Sequence, residues 1–381
     1  MKSLLKFFVV LLLVSCQKRT PLERVLTSDI PEIQKVMQQP EAYELQILYT
    51  TIDYDNDGTV ALTDYSYQVN DSSYFYPAST VKFPIALLAL EKVKALQQQG
   101  MEIDRTTPFK IEGDSLVTTL AQEITKLFAI SDNDAYNRLF EFLGQEYINS
   151  KLAQKHLKGS IRHRLATASA DDKRTKAVTF YKNIEPAADT HFHISSKENT
   201  LPPQLSLAKL KKGKGYYSGD QLIHAPMDFS RKNYLPLSTL HQMMKRLHFP
   251  NTFSPEEQFH IDESQQDFVF TAMKKLPYKA GYDRKEYYDS YVKFFMYGDT
   301  KENIPDHIQI VNKVGYAYGY LTETAYIQDI NNDVAFILSA TLHVNENQIY
   351  NDDHYEYEAI GIPFLAALGK LIYKNEVATQ R

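Results

Sequence analysis

A serine and a lysine three residues apart, Ser79 and Lys82, are the first candidates for chemistry in this 381-residue chain. A serine hydroxyl is a weak nucleophile until a base takes its proton. Lysine becomes such a base only when burial or a neighbouring cation lowers its pKa. On a helix the spacing places both side chains on one face, one turn apart. Two later clusters complete the set. Ser131-Asp132-Asn133 adds a hydroxyl able to relay a proton and an amide able to hold a substrate amide. Lys313-Val314-Gly315 adds a second cation, able to depress the pKa of Lys82. The backbone N–H of Ser79, at a helix N-terminus, is free to stabilise an oxyanion. The implied chemistry is acyl transfer through a covalent serine intermediate.

These groups need rigid elements to position them. Residues 44–54 and 60–69 alternate as strands, and 308–314, 320–329 and 333–344 do so near the other end of the chain. Helical periodicity covers Ser79 to Gln98, Ser115 to Ile130, Asp134 to Phe142, Leu237 to Leu247 and 356–372. Pro84 falls in the first two turns of its helix, where a missing N–H does least harm. The polar stretch from Arg162 to Asp228 reads as a long, partly ordered insertion. The order is strand-strand, a block of helices, three strands, helix. It predicts an α+β fold, with strands from both ends of the chain in one antiparallel sheet packed against helices.

Pro77-Ala78-Ser79-Thr80-Val81-Lys82, Ile130-Ser131-Asp132-Asn133 and Lys313-Val314-Gly315 resemble the three signatures of class A β-lactamases, within the wider group of penicillin-recognising serine hydrolases. The resemblance runs from about residue 42 to 372. It implies an α/β sandwich beside an all-helical subdomain, with the site between them. It further implies that Ser79 is acylated, that Lys82 and Ser131 shuttle protons, and that Asn133, Lys313, Gly315 and Tyr316 contact substrate. Lys313 would meet an anionic group, and the Tyr316 backbone N–H would join that of Ser79 in an oxyanion hole. The expected organisation is a signal peptide (1–15), a lipid anchor and tether (16–40), one hydrolase domain (41–372) and a tail (373–381). The helical subdomain is expected at about 100–250, with insertions at about 172–228 and 254–305.

Two positions depart from the family pattern. Its deacylating glutamate lies some 35 residues after the Ser-Asp-Asn turn. Here Arg162 to Asp172 holds no glutamate, leaving Asp171 and Asp172 as shorter carboxylates. Val314 stands where Thr or Ser gives a hydroxyl to a substrate carboxylate, a hydrogen bond worth about 1.5–3 kcal/mol when the partner is charged. Both changes disfavour β-lactam turnover while leaving acylation intact. A peptidoglycan-derived amide or ester is the expected substrate by family analogy. Efficient β-lactam hydrolysis and a non-catalytic binding lipoprotein are the alternatives.

The leader predicts a location. Lys2 and Lys6 precede an apolar run, Phe7 to Val14, that is too short to span a bilayer. Leu13-Val14-Ser15-Cys16 resembles the lipobox of bacterial lipoproteins, which implies cleavage before Cys16 and membrane anchoring through lipid on that residue; an ordinary signal peptide is the alternative. Gln17, rather than Asp, points to the outer membrane in a Gram-negative host. Cys16 is the only cysteine, so the folded part has neither a disulfide nor a thiol nucleophile. A net charge of −5 gives no polyanion-binding character, and no nucleic-acid partner is expected. The run Asp53 to Gly58 matches half of a calcium loop, but its strand-like flanks favour a hairpin turn. His163, His224 and His343 have no metal-ligand spacing, and no metal or cofactor is expected. The 27 tyrosines carry no functional reading at this level.

Overall fold

The computed structural model describes residues 19–55, 57–183, 190–202 and 204–379. The leader and the expected lipidation site Cys16 lie outside them. Strands β1 (Gln46–Tyr54) and β2 (Val60–Tyr67) form a hairpin, and β3 (Ile308–Ala317), β4 (Tyr320–Asp329) and β5 (Val334–His343) form a meander. β5 pairs antiparallel with β1, giving the order β3-β4-β5-β1-β2. The two ends of the chain therefore share one sheet. Between β1 and β2, Asp55 N donates to Thr59 O at 2.9 Å, Gly58 N donates to Asp55 O at 2.8 Å, and Gly58 takes a φ of +82°, as a turn requires.

The helices are α1 (Pro21–Leu26), α2 (Pro31–Met37), α3 (Lys82–Gln98), α4 (Leu120–Ala129), α5 (Asn133–Leu143), α6 (Gln145–Gln154), α7 (Leu237–His248), α8 (Glu263–Lys274) and α9 (Ile362–Thr379). Alternation along each strand separates two cores. Phe336, Leu338, Ala340 and Leu342 of β5 point to the layer formed by α1, α2 and α9. Ile337, with Tyr326 of β4 and Val311 of β3, points to the opposite core, which continues into the helical layer. α7 covers that face of the sheet. α3 is buried all round from Phe83 to Leu90, as befits the central helix of that layer. Among the described residues no helix is long and apolar enough to cross a membrane.

Four expectations change. Ser79 lies on a 3-10 turn, Ala78–Val81, and α3 starts only at Lys82. The helix expected from Ser115 begins at Leu120, because Thr119 and Gln122 form a capping box that fixes the start. The stretch 162–228, expected as a long, partly ordered insertion, carries strands among its described residues. Its segments Val178–Tyr181 and Thr190–Ile194 join Pro108–Ile111 and Thr118–Thr119 in a four-stranded sheet, with Phe180 buried against Phe109 and Phe142. Gly215–Ser218 pairs in parallel with Ile349–Tyr350, tying the end of this stretch to the C-terminal part of the chain. Finally, α8 lies inside the expected 254–305 insertion yet packs on α3 and α4, and α9 runs through most of the expected tail.

Candidate active site

Three backbone segments converge on one point. Ala78, just before Ser79, adopts φ +46°, a left-handed conformation that costs a residue with a Cβ about 1 kcal/mol or more. The turn is pinned by Thr80, whose Oγ1 donates to Pro77 O at 2.6 Å. Ser131 has φ +58° in the corner between α4 and α5, and Asp132 Oδ1 accepts from Ala135 N at 2.8 Å to cap α5. β3 arrives at Gly315, where an added Cβ would stand 2.7 Å from Ser79 N and 2.8 Å from both Pro77 O and Thr80 N. Only glycine lets the strand approach the nucleophile turn this closely.

Lys82 is the hub. Its Nζ lies 2.8 Å from Ser79 Oγ, 2.5 Å from Ser131 O and 2.7 Å from Asn133 Oδ1, with Ser131 Oγ at 3.2 Å. The ammonium form offers three protons to three close acceptors. The neutral amine keeps two N–H groups for Ser131 O and Asn133 Oδ1 and turns its lone pair to the Ser79 hydroxyl. Burial lowers the Lys82 pKa to about 7, with Asp132 opposing the shift. The amine is thus populated near neutral pH, as a general base requires.

Lys313 stands behind Ser131. Its Nζ donates to Ser131 Oγ at 2.8 Å and to Val314 O at 2.9 Å. Burial first, and then repulsion from Lys82, hold its pKa well below the usual lysine range. The sequence reading left burial or a nearby cation as the cause, with Lys313 able to supply the cation. In the structure burial is that cause, and the repulsion falls on Lys313, which is buried as well.

The convergence opens into a cleft of about 550 Å3 that reaches Ser79, Ser131, Asn133, Gly315 and Tyr316. It is also lined by Asp132, Asp134, Ala166, Tyr291 and Val292, which sequence reasoning did not single out. The loop in which a deacylating carboxylate was sought reaches the cleft only through Ala166 (φ +48°). Asp171 and Asp172 are exposed and do not line it; Asp172 Oδ1 instead accepts from Arg174 N at 3.0 Å. That loop is held by Arg164, which donates to both carboxylate oxygens of buried Glu141 at 2.5 and 2.9 Å and to Asp172 O at 2.9 Å. His163 is a buried structural residue: its Nε2 accepts from Asn233 N at 3.1 Å. His224 and His343 lie away from the cleft.

The Tyr291–Val292 wall is anchored from beneath. Glu323 accepts from Phe294 N at 3.0 Å and Phe295 N at 2.6 Å, and Asn312 Nδ2 donates to Val292 O at 2.7 Å and to Glu323. Lys293 Nζ donates to Asn312 Oδ1 at 2.7 Å. Burial pushes the Glu323 carboxyl up to about 7. The dense run of tyrosines between Tyr278 and Tyr297 was the available signal for this wall, though it has no helix or strand period.

Residues 31–193, which carry the Ser79–Lys82 and Ser131–Asn133 clusters, match the beta-lactamase enzyme family. The matched segment covers less than half of the chain, and it resembles a β-lactamase-like serine hydrolase. The solved structure of PBP-A is 13% identical over 93% of this chain and 95% of its own, with a TM-score of 0.50. A class A β-lactamase from Mycobacterium abscessus is 12% identical over 91% and 98%, with a TM-score of 0.49. A β-lactamase from Xanthomonas campestris is 14% identical over 93% and 96%, with a TM-score of 0.48. At 13% identity the likeness to PBP-A is one of fold. No curated protein is recognisably similar in sequence. Val314, and a cleft loop that presents Ala166 where a carboxylate was sought, depart from the pattern that the sequence resembles.

Proposed function

We propose that this serine hydrolase forms an acyl-Ser79 intermediate from an amide or ester and passes the acyl group to water or to an amine. The observation that carries the reading is the contact between a buried lysine with a lowered pKa and the Ser79 hydroxyl. Neutral Lys82 takes the Ser79 proton as Oγ attacks the carbonyl carbon. The backbone N–H groups of Ser79 and Tyr316 receive the oxyanion. As the C–N or C–O bond breaks, Ser131 gives its proton to the leaving group, and protonated Lys82 restores it across the 3.2 Å contact. Lys313 orients Ser131, and Asn133 orients Lys82 and a substrate amide. The acceptor then attacks the acyl carbon, and Lys82 serves again as acid and base.

The expected substrate class is peptidoglycan-derived peptide, and the proposed location is the cell envelope, with a lipid anchor on Cys16 facing the periplasm or in the outer membrane. Both rest on the sequence and the family. β-Lactam hydrolysis is the weaker reading, because neither Asp171 nor Asp172 lines the cleft. The test is the burst of p-nitrophenol from a neutral p-nitrophenyl ester, followed by mapping of the acylated peptide. One acyl group on Ser79, lost in Ser79→Ala, supports the reading. Turnover or labelling that survives Ser79→Ala overturns it.

A further inference from the structure

The cleft offers substrate one sign of charge. Among the described residues, Asp132 and Asp134 line it and no lysine or arginine does. Neither carboxylate takes part in an ion pair among the described residues. Asp132 spends one oxygen on the cap of α5, while Asp134 is exposed. The partial positive charge at the α5 N-terminus, about half a unit, offsets these carboxylates only in part.

The two cations of the motifs lie behind this surface, both buried. Lys313 Nζ already donates to Ser131 Oγ and to Val314 O. Val314 supplies no hydroxyl beside it. A substrate carboxylate at this point meets two like charges, above a lysine whose contacts are already made to Ser131 and Val314.

The strand side of the cleft presents aromatic rings. Tyr316 is 54% exposed, and its ring is braced edge-on by Phe294 and Tyr357 at 6.1 and 5.3 Å between centroids. Tyr291 is braced in the same way by Tyr287 at 4.9 Å and Tyr288 at 6.0 Å. Rings fixed in this manner need little ordering when a ligand arrives, and their faces attract cations.

We propose that the cleft selects an acyl donor carrying a primary ammonium close to its scissile bond, held by Asp134 and the faces of Tyr291 and Tyr316, in place of the carboxylate that a β-lactam presents. The selection rests on the acyl-Ser79 reading for its chemistry but is tested without it. Three short peptide amides, identical except for Lys, norleucine or Glu at one position, are titrated calorimetrically into the Ser79→Ala protein. The Lys peptide binds about tenfold more tightly than the Glu peptide at low salt, from one exposed ion pair and one cation–π contact. The advantage shrinks at high salt, and Asp134→Asn reduces the Lys-to-norleucine ratio by about fivefold. Equal affinities, a preference for Glu, no millimolar binding of the Lys peptide, or a ratio indifferent to Asp134→Asn overturns the proposal. Failure of wild-type protein to acylate with a neutral ester is a separate result, which sinks the acyl-enzyme reading instead.

Discussion

Lys82 Nζ lies 2.8 Å from Ser79 Oγ, and the lysine that makes this contact has no solvent exposure. Burial disfavours the ammonium and so makes the base available. With a Lys82 pKa of about 7, the active neutral form grows as pH rises through that value. Acylation, measured as kcat/KM for a neutral ester, should climb with pH and level off above an apparent pKa near 7. A profile flat over roughly two pH units either side of that value would contradict a lysine base.

Gly315 touches the nucleophile turn through its missing side chain. Gly315→Ala places a carbon 2.7 Å from Ser79 N, against backbone that has no room to rotate away. We expect a loss of about 1–3 kcal/mol in stability, the usual range for overpacking, together with a far larger loss of acylation than of fold. Urea denaturation and ester kinetics on the same preparation separate the two effects. Unchanged kcat/KM would show that the contact does not position Ser79.

Arg164 and Glu141 hold the loop that brings Ala166 to the cleft. Removing the guanidinium leaves a buried carboxylate with Lys176 N, at 2.8 Å, as its remaining partner. Arg164→Ala should cost about 3–5 kcal/mol, and adding Glu141→Leu should return part of that loss. If the double variant is the less stable of the two, the pair is not acting as a compensated buried charge.

Benzylpenicillin tests the deacylation step. Any acyl-Ser79 that forms should outlast the assay, because Asp171 and Asp172 lie off the cleft and Asp172 Oδ1 serves Arg174 N. Displacing a base by about 1 Å already costs about 100-fold. Intact mass over time reads the adduct directly. Rapid loss of the drug with no accumulated adduct would mean that another group activates water.

Much of this architecture was written in local patterns. The two strand sets are legible because alternation is read on each strand separately, and their shared sheet follows from antiparallel pairing of β1 with β5. The positions of Ser79, Lys82, Ser131 and Lys313 were legible because fixed spacing on rigid elements carries them. What escaped depends on contacts distant in sequence. Phe180 sits in a polar stretch and becomes core only against Phe109 and Phe142. Tyr291 becomes a cleft wall only because Glu323 and Asn312, some twenty to thirty residues later, grip the backbone beside it. The burial of Lys313 was equally hidden, since a lysine in a motif looks the same whether it faces substrate or supports a neighbour.

The central claim is that Lys82 activates Ser79 for acylation. The direct measurement is intact mass after mixing with p-nitrophenyl acetate, on wild type, Ser79→Ala and Lys82→Ala, each first shown to be folded by circular dichroism. The account predicts one acetyl group on Ser79 in wild type and none on that residue in either variant. Acetylated Ser79 in Lys82→Ala at the wild-type rate would contradict it.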